Sequence, residues 1–350
     1  MGRTIDVPED TLQESETSNV VLELLKQAGG CVVTDGGFAT QLERHGANIN
    51  DPLWSAVCLI TMPDLIRKVH REYLEAGAAV ISTASYQATI QGFEMRGLST
   101  KDSEDLLQLS VRIAREERDR FWKEYQNKVH TGPGQAGSYH HALVAASIGS
   151  YGAYLADGSE YSGDYGSFVT VEKLKNFHRR RLLVLADAGP DLLAFETIPC
   201  KLEIQALVEL LDEEKIRIPA WVALNSKDGV NVVNGDSLTD CVGLLDNCTK
   251  VVAVGINCTP PRFILDLIRV ARKVTSKPIM VYPNSGEHYD AVIKQWVECK
   301  GSTDTDFVSH VQEWRKAGAQ LIGGCCRTTP NTIRAISRVL YEHTQVYAAK

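Results

Sequence analysis

The feature that most constrains this chain is an alternation of two unlike segments. Short apolar runs alternate with longer stretches whose apolar residues recur at helical spacing, from residue 20 almost to the C-terminus. The runs cover 31–34, 78–86, 143–148, 192–197, 220–224, 251–256, 278–282 and 320–323. Several are unbroken Val, Ile, Leu and Ala, as expected of parallel strands buried on both faces. The helical stretches between them fall at 63–76, 101–126, 171–188, 201–213, 237–248, 262–274 and 306–317, with a last one from Pro330 to Tyr341. Pro330 suits a first helical turn, where a missing N–H costs nothing.

Eight strands alternating with helices over this length predict an α/β fold, a (β/α)8 TIM-type barrel of parallel strands. A doubly wound open sheet is the alternative. The barrel is favoured by where the unusual residues fall: Asp35, Tyr86, Ser147, Glu196, Asn225, Cys258, Asn284 and Cys325 all sit at or just after strand C-termini. In a barrel those ends form one face, the face that carries active sites. The expected organisation is an N-terminal arm over 1–19 and one barrel domain over 20–345.

Two insertions interrupt the repeat. Residues 149–167 form a long Gly- and Tyr-rich loop after the third strand, on the active face, and read as a lid or binding loop. The stretch from about 91 to 141 reads as peripheral packing.

The net charge of −7 offers no basic surface for nucleic acid or anionic membrane. No apolar run approaches the roughly 20 residues of a membrane span. The polar, acidic first 19 residues lack the regions of a signal or transit peptide, so a cytoplasmic protein is expected. Nine cysteines in such a chain point to thiols or metal ligands rather than a disulfide framework.

Two of those cysteines are adjacent, in Gly323-Gly324-Cys325-Cys326. Neighbours cannot easily pair with each other, because a disulfide has strict geometry. Aimed at one point, two thiolates suit a soft metal. Cys258, just past another strand, is the natural third ligand. Three thiolates leave one tetrahedral position of zinc open, the arrangement of a catalytic site. The rival reading is a phosphate site on the Gly-Gly turn, but paired cysteines add nothing to phosphate binding. Asp35 and Glu196 are paired acids on strand ends, suited to a cationic group such as an amine; each also has a bland reading as a turn or helix cap.

Other motifs carry less. Gly132-x-Gly134-x-x-Gly137 matches a dinucleotide pattern by letters but precedes a strand instead of following one. His140-His141 and Glu287-His288 read as surface pairs. Lys227 is the only lysine near a strand end, which leaves a Schiff-base lyase or aldolase without a well-placed nucleophile.

Asp35-Gly36-Gly37, Glu196-Thr197, Gly255-Ile256-Asn257-Cys258 and Gly323-Gly324-Cys325-Cys326, in that order, resemble the zinc-dependent homocysteine S-methyltransferases. Thr83 to Thr89 and Gly149 to Tyr161 look like the S-methylmethionine-using, plant-like branch. The resemblance implies one Zn2+ per chain on Cys258, Cys325 and Cys326. It implies homocysteine as acceptor, with Asp35 and Glu196 near its amino group, and S-methylmethionine as donor. Gly36, Gly37, Phe38, Tyr86, Asn225, Tyr151 and Tyr165 complete the expected substrate site, with Tyr154 and Tyr161 as further aromatic candidates for a sulfonium. No catalytic residue beyond the activated thiol is expected, and no general base. Alternatives are the same reaction with betaine or S-adenosylmethionine, or a non-catalytic zinc or thiol sensor. The short C-terminus suggests a monomer.

Overall fold

The computed structural model describes residues 19–131, 140–286, 288–290, 295–297 and 304–348. The strands are β1 (Val32–Val33), β2 (Val80–Ser82), β3 (Leu143–Gly149), β4 (Leu192–Ile198), β5 (Ala220–Leu224), β6 (Val251–Asn257), β7 (Ile279–Tyr282), β8 (His288–Asp290), β9 (Gln295–Val297) and β10 (Ala319–Ile322). Eight of them form one parallel sheet in the order β1-β10-β7-β6-β5-β4-β3-β2. A parallel bridge between Thr34 and Val80 joins β1 to β2. The Asp35 N–H donates to the Val80 carbonyl at 3.0 Å and the Ala79 N–H to the Val33 carbonyl at 2.8 Å, so the sheet closes on itself. This is the expected barrel, not the open sheet.

Side chains alternate along the strands as a closed sheet requires. On β4, Leu192 and Ala194 point into the barrel, while Leu193 and Phe195 pack outward against helices. Glu196 continues the inward series at the top of the strand. On β5, Trp221 and Ala223 face in, and Val222 and Leu224 face out. The interior is filled rather than hollow: Trp221 is fully buried, and its Nε1 donates to the Tyr282 hydroxyl at 3.3 Å. Gly255 on β6 has no side chain because a Cβ there would stand 2.7 Å from that of Ala223.

The helices that cover the barrel follow the sequence reading to within a few residues at most ends. Exceptions are informative. The helix Thr100–Thr131 is 32 residues long, about 48 Å, and outruns the span expected from its apolar stripe. It packs on the helices Pro63–Glu75 and Val171–Asp187. Arg71 binds Glu117 on it at 3.2 Å, with Glu117 only 3% exposed. The 78–86 run keeps only three residues as strand and then turns, because Thr83, Ser85 and Gln87 spend their polar groups on neighbouring backbone and side chains. The antiparallel pair β8–β9 was not anticipated.

The 149–167 insertion contains two short helices, Tyr151–Leu155 and Ser159–Ser162. Left-handed residues at Ala156, Gly158 and Gly163 turn it back over the barrel mouth. The Gly132 motif and Glu287 lie outside the described residues, as does the N-terminal arm up to residue 18. Among the described residues, no helix is long and apolar enough to cross a membrane.

Candidate active site

Strands β6 and β10 are separated by β7, and both end in sulfur. Cys258 follows β6, and its N–H donates to the Tyr282 carbonyl at 3.2 Å. The turn after β10 is fixed by Gly323 N–H to Val281 O at 2.9 Å, Gly324 N–H to Asp35 O at 3.0 Å and Cys325 N–H to Pro283 O at 2.8 Å. The two glycines are required by space. A Cβ on Gly323 would stand 2.6 Å from the Asp35 carbonyl oxygen and closer still to Thr34 Oγ1, and one on Gly324 would collide with Thr328. Opposite them, a Cβ on Gly37 would stand 2.6 Å from the Cys325 carbonyl. Thus the Gly36-Gly37 and Gly323-Gly324 turns interlock backbone to backbone.

This packing brings three sulfurs together. Sγ separations are 3.0 Å for Cys258–Cys325, 3.5 Å for Cys258–Cys326 and 4.0 Å for Cys325–Cys326. None is near the roughly 2.05 Å of a disulfide. Tetrahedral zinc with bonds near 2.3 Å sets its sulfurs about 3.8 Å apart. Two pairs already lie close to that, and the third needs to open by less than about 1 Å. The trio is the metal-ligating cluster found among the described residues. Cys325 donates to Cys258, and its contacts with Cys325 and Cys326 hold the Cys258 thiol well below the ordinary range. Cys258 and Arg327 have positive φ (47° and 67°), as does Thr197 at the end of β4 (57°). Non-glycine residues in this region are strained, and here they mark three strand exits on one face.

The sulfurs open into a cavity of about 340 Å³. Asp35, Gly36, Gly37, Phe38, Tyr86 and Glu196 all line it, as the sequence suggested. Asp35 Oδ2 accepts from the Ser82 N–H at 2.6 Å, and Oδ1 from the Ser82 hydroxyl at 3.3 Å. Glu196 accepts from the Ser147 and Tyr282 hydroxyls. Burial pushes the Asp35 carboxyl up to about 8, with a further push from the nearby Glu196. Burial likewise raises Glu196 to about 7, against the hydrogen bonds that favour its charge. Two desolvated acids side by side bind a proton tightly in the absence of a cation.

Four expected residues are elsewhere. Tyr151, Tyr154 and Tyr165 do not line the cavity. Tyr151 packs against Tyr154, Tyr165 and Phe177, with centroids 5.0–6.1 Å apart. The Tyr165 hydroxyl donates to Glu203 Oε2 at 2.5 Å. They anchor the insertion to the helices behind it: a loop aromatic buries its ring where a neighbouring apolar surface is available. Asn225 is also outside the lining; its Nδ2 donates to the Glu160 backbone carbonyl at 2.7 Å, holding the insertion down. Lys227 is likewise outside the lining.

Tyr161, one of the aromatic candidates, does line it. So do residues the sequence reading left out: Glu160 from the insertion, and Trp54, Glu43, Gln87 and Asn257 from other segments. The Tyr161 hydroxyl is 3.7 Å from Cys258 Sγ. Asn257 caps the β4 exit, accepting from Thr197 N–H at 2.9 Å and donating to Thr197 Oγ1 at 2.8 Å. Asn257 was legible as the last inward residue of β6; Trp54 and Glu160 carried no periodic signal.

Fold and site together define a parallel barrel with three cysteine sulfurs and two desolvated acids facing one cavity at its strand C-terminal end. The profile of the Homocysteine S-methyltransferase family matches residues 32–340, and the chain belongs to that family of methyltransferases. It is 64% identical to Homocysteine S-methyltransferase 3 of Zea mays, over 93% of this chain and 95% of that protein. It is 57% identical to Selenocysteine Se-methyltransferase of Brassica oleracea var. italica, over 96% of both. Among solved structures, the metallated form of the homocysteine methyltransferase MmuM from Escherichia coli superposes with a TM-score of 0.77 at 42% identity, covering 90% of this chain and 98% of that one.

Proposed function

We propose that this chain transfers a methyl group from S-methylmethionine to homocysteine held on one zinc ion by Cys258, Cys325 and Cys326, forming two molecules of methionine. The observation that carries this reading is the convergence of three sulfurs beside two buried acids in one cavity. Cys258, Cys325 and Cys326 would hold the zinc, which would supply a Lewis acid that favours the ionised, nucleophilic form of a substrate thiol.

The chain's own residues supply the rest. Asp35 and Glu196 receive the homocysteine ammonium, and its positive charge draws both acids to the ionised form. Ser82, Ser147 and Tyr282 fix the two carboxylates in place. Ionising a thiol of ordinary pKa at neutral pH amounts to only about 2 kcal/mol. Alignment of acceptor sulfur, methyl carbon and leaving sulfur can contribute roughly 7–11 kcal/mol, so holding the two substrates in line is the larger task. The insertion contributes Glu160 and Tyr161 to the cavity wall, and no side-chain base is needed. The reading takes the enzyme as a cytosolic monomer, with one barrel domain over 20–345 behind a separate N-terminal arm.

The test is zinc per chain on reduced protein, followed by methionine formation from homocysteine with S-methylmethionine, betaine and S-adenosylmethionine in turn. One zinc and preference for S-methylmethionine is expected. Betaine or S-adenosylmethionine as the better donor overturns the donor assignment. Zinc with no turnover leaves a metal or thiol sensor. Selenocysteine belongs in the same assay as a competing acceptor, given the Brassica relative.

A further inference from the structure

Glu160 is the acid in the cavity that the fold does not satisfy. Its own N–H hydrogen-bonds to the carboxylate, yet Oε2 is enclosed and accepts no hydrogen bond. Asp35 and Glu196, by contrast, are each held by donors from neighbouring strands. An enclosed carboxylate oxygen without a partner is costly, and such a group calls for a counterpart.

The placement of Glu160 is built, not incidental. Gly152 admits the Glu160 backbone, since a Cβ on Gly152 would meet the Glu160 nitrogen. Asn225 holds the Glu160 carbonyl from the end of β5. Tyr161 beside it reaches to 3.7 Å from Cys258 Sγ, and Tyr86 and Trp54 line the same cavity, with their rings 6.0 Å apart edge to face. The carboxylate therefore shares one cavity with these rings, close enough for its charge to act on the Tyr86 and Tyr161 hydroxyls.

Resting on the proposed methyl transfer, we infer that Glu160 is the specificity determinant for a methyl donor whose positive charge sits on the reacting atom, a sulfonium. An ammonium donates N–H hydrogen bonds and suits the hydrogen-bonded acids Asp35 and Glu196. A sulfonium has no N–H or O–H to donate. It is recognised by charge and by aromatic faces, and a carboxylate oxygen left out of every hydrogen bond, in a cavity lined by Tyr86, Tyr161 and Trp54, has that character. On this division the homocysteine ammonium meets the strand acids, and the donor's sulfonium meets Glu160. When the methyl leaves, the donor becomes a neutral thioether, and the attraction at Glu160 disappears with the charge, which favours product release.

The experiment compares wild-type enzyme with E160Q and E160D. Readouts are KM for S-methylmethionine, KM for homocysteine, bound zinc, and inhibition by methionine against the donor. Methionine has the same skeleton without the sulfonium charge. E160Q is expected to raise the S-methylmethionine KM roughly tenfold or more. Homocysteine KM, zinc content and methionine inhibition should stay within about twofold. E160D, which keeps the charge, should recover much of the loss. An unchanged donor KM in E160Q overturns the inference, and so does equal weakening of S-methylmethionine and methionine, which would mean a purely structural role. Loss of zinc or of homocysteine binding in E160Q also overturns it, because Glu160 would then support the shared frame of the site and not the donor alone. A wild-type enzyme that does not use S-methylmethionine sinks the functional reading itself, and that result comes from the wild-type control alone.

Discussion

The sulfur of Cys258 lies 3.0 Å from that of Cys325, although 67 residues separate them in the chain. The approach is set by backbone, not by the sulfurs: Cys258 is tied to β7 through Tyr282, and Cys325 through Pro283. Replacing Cys258, Cys325 or Cys326 by Ser removes one soft ligand and leaves the backbone frame intact. Each variant is expected to lose zinc, with turnover falling more than about a hundredfold while the fold survives. Metal analysis and circular dichroism on the same samples check this. A variant with normal turnover and no zinc would sink the mechanism.

Oxidation should act at the same place. Thiolates reachable from the cavity are oxidised before buried thiols. Cys31, Cys200 and Cys241 are buried and lie outside the cavity lining, so they react slowly. Mild peroxide is expected to abolish activity, and reductant plus zinc to restore it. Mapping of modified cysteines should find the Cys258, Cys325 and Cys326 cluster first.

The two strand acids give a pH dependence with a definite sign. Asp35 and Glu196 have folded pKa values raised to about 8 and about 7, above their values in an unfolded chain. They bind protons more tightly when folded, so their contribution favours the fold most below about pH 4. It declines as pH rises and is spent once pH passes about 8. Binding of an ammonium needs the ionised acids, so homocysteine KM should fall as pH rises from 6 to 8. D35N should raise that KM roughly tenfold and flatten the profile. A wild-type KM independent of pH over this range counts against the assignment.

Gly323 tests the interlocked turns. In G323A the new methyl group meets the Asp35 carbonyl and Thr34. Overpacking of this kind costs about 1–3 kcal/mol. Because the obstruction is rigid backbone, zinc affinity should fall together with thermal stability. Thermal melts with and without added zinc read both effects.

Arg181 is a buried cation that works through carbonyls. Its guanidinium donates to Gly149 O at 3.1 Å, Ser85 O at 2.9 Å and Tyr86 O at 2.6 Å, and it is 1% exposed. R181M removes one donor from each; Tyr86 O keeps the Gly149 N–H and Ser85 O the Ala88 N–H, so the Gly149 carbonyl bears most of the cost, about 1–3 kcal/mol if no water reaches it. The melting temperature should fall. The Tyr86 turn should loosen, raising donor KM more than homocysteine KM.

The three clustered cysteines and the strand acids were legible because each sits where a periodic pattern ends. Once the apolar runs are read as parallel strands, Asp35, Glu196, Cys258 and Cys325 fall on strand exits, and barrel closure sends those exits to one face. Residue spacing also fixed which strand positions face inward, as Glu196 following Leu192 and Ala194 illustrates. The insertion over the mouth was not legible in the same way. It has no repeat, and its path depends on left-handed turns at Ala156, Gly158 and Gly163. Those turns send Tyr151 and Tyr165 to the aromatic cluster around Phe177 and bring Glu160 and Tyr161 to the cavity. The sequence by itself determined the barrel, its active face and the chemistry on the strand ends, because a hydrogen-bonded period ties side-chain direction to residue number. Only the tertiary structure decided which loop residues reach the sulfurs, because in irregular backbone that direction is set by packing against surfaces distant in the chain.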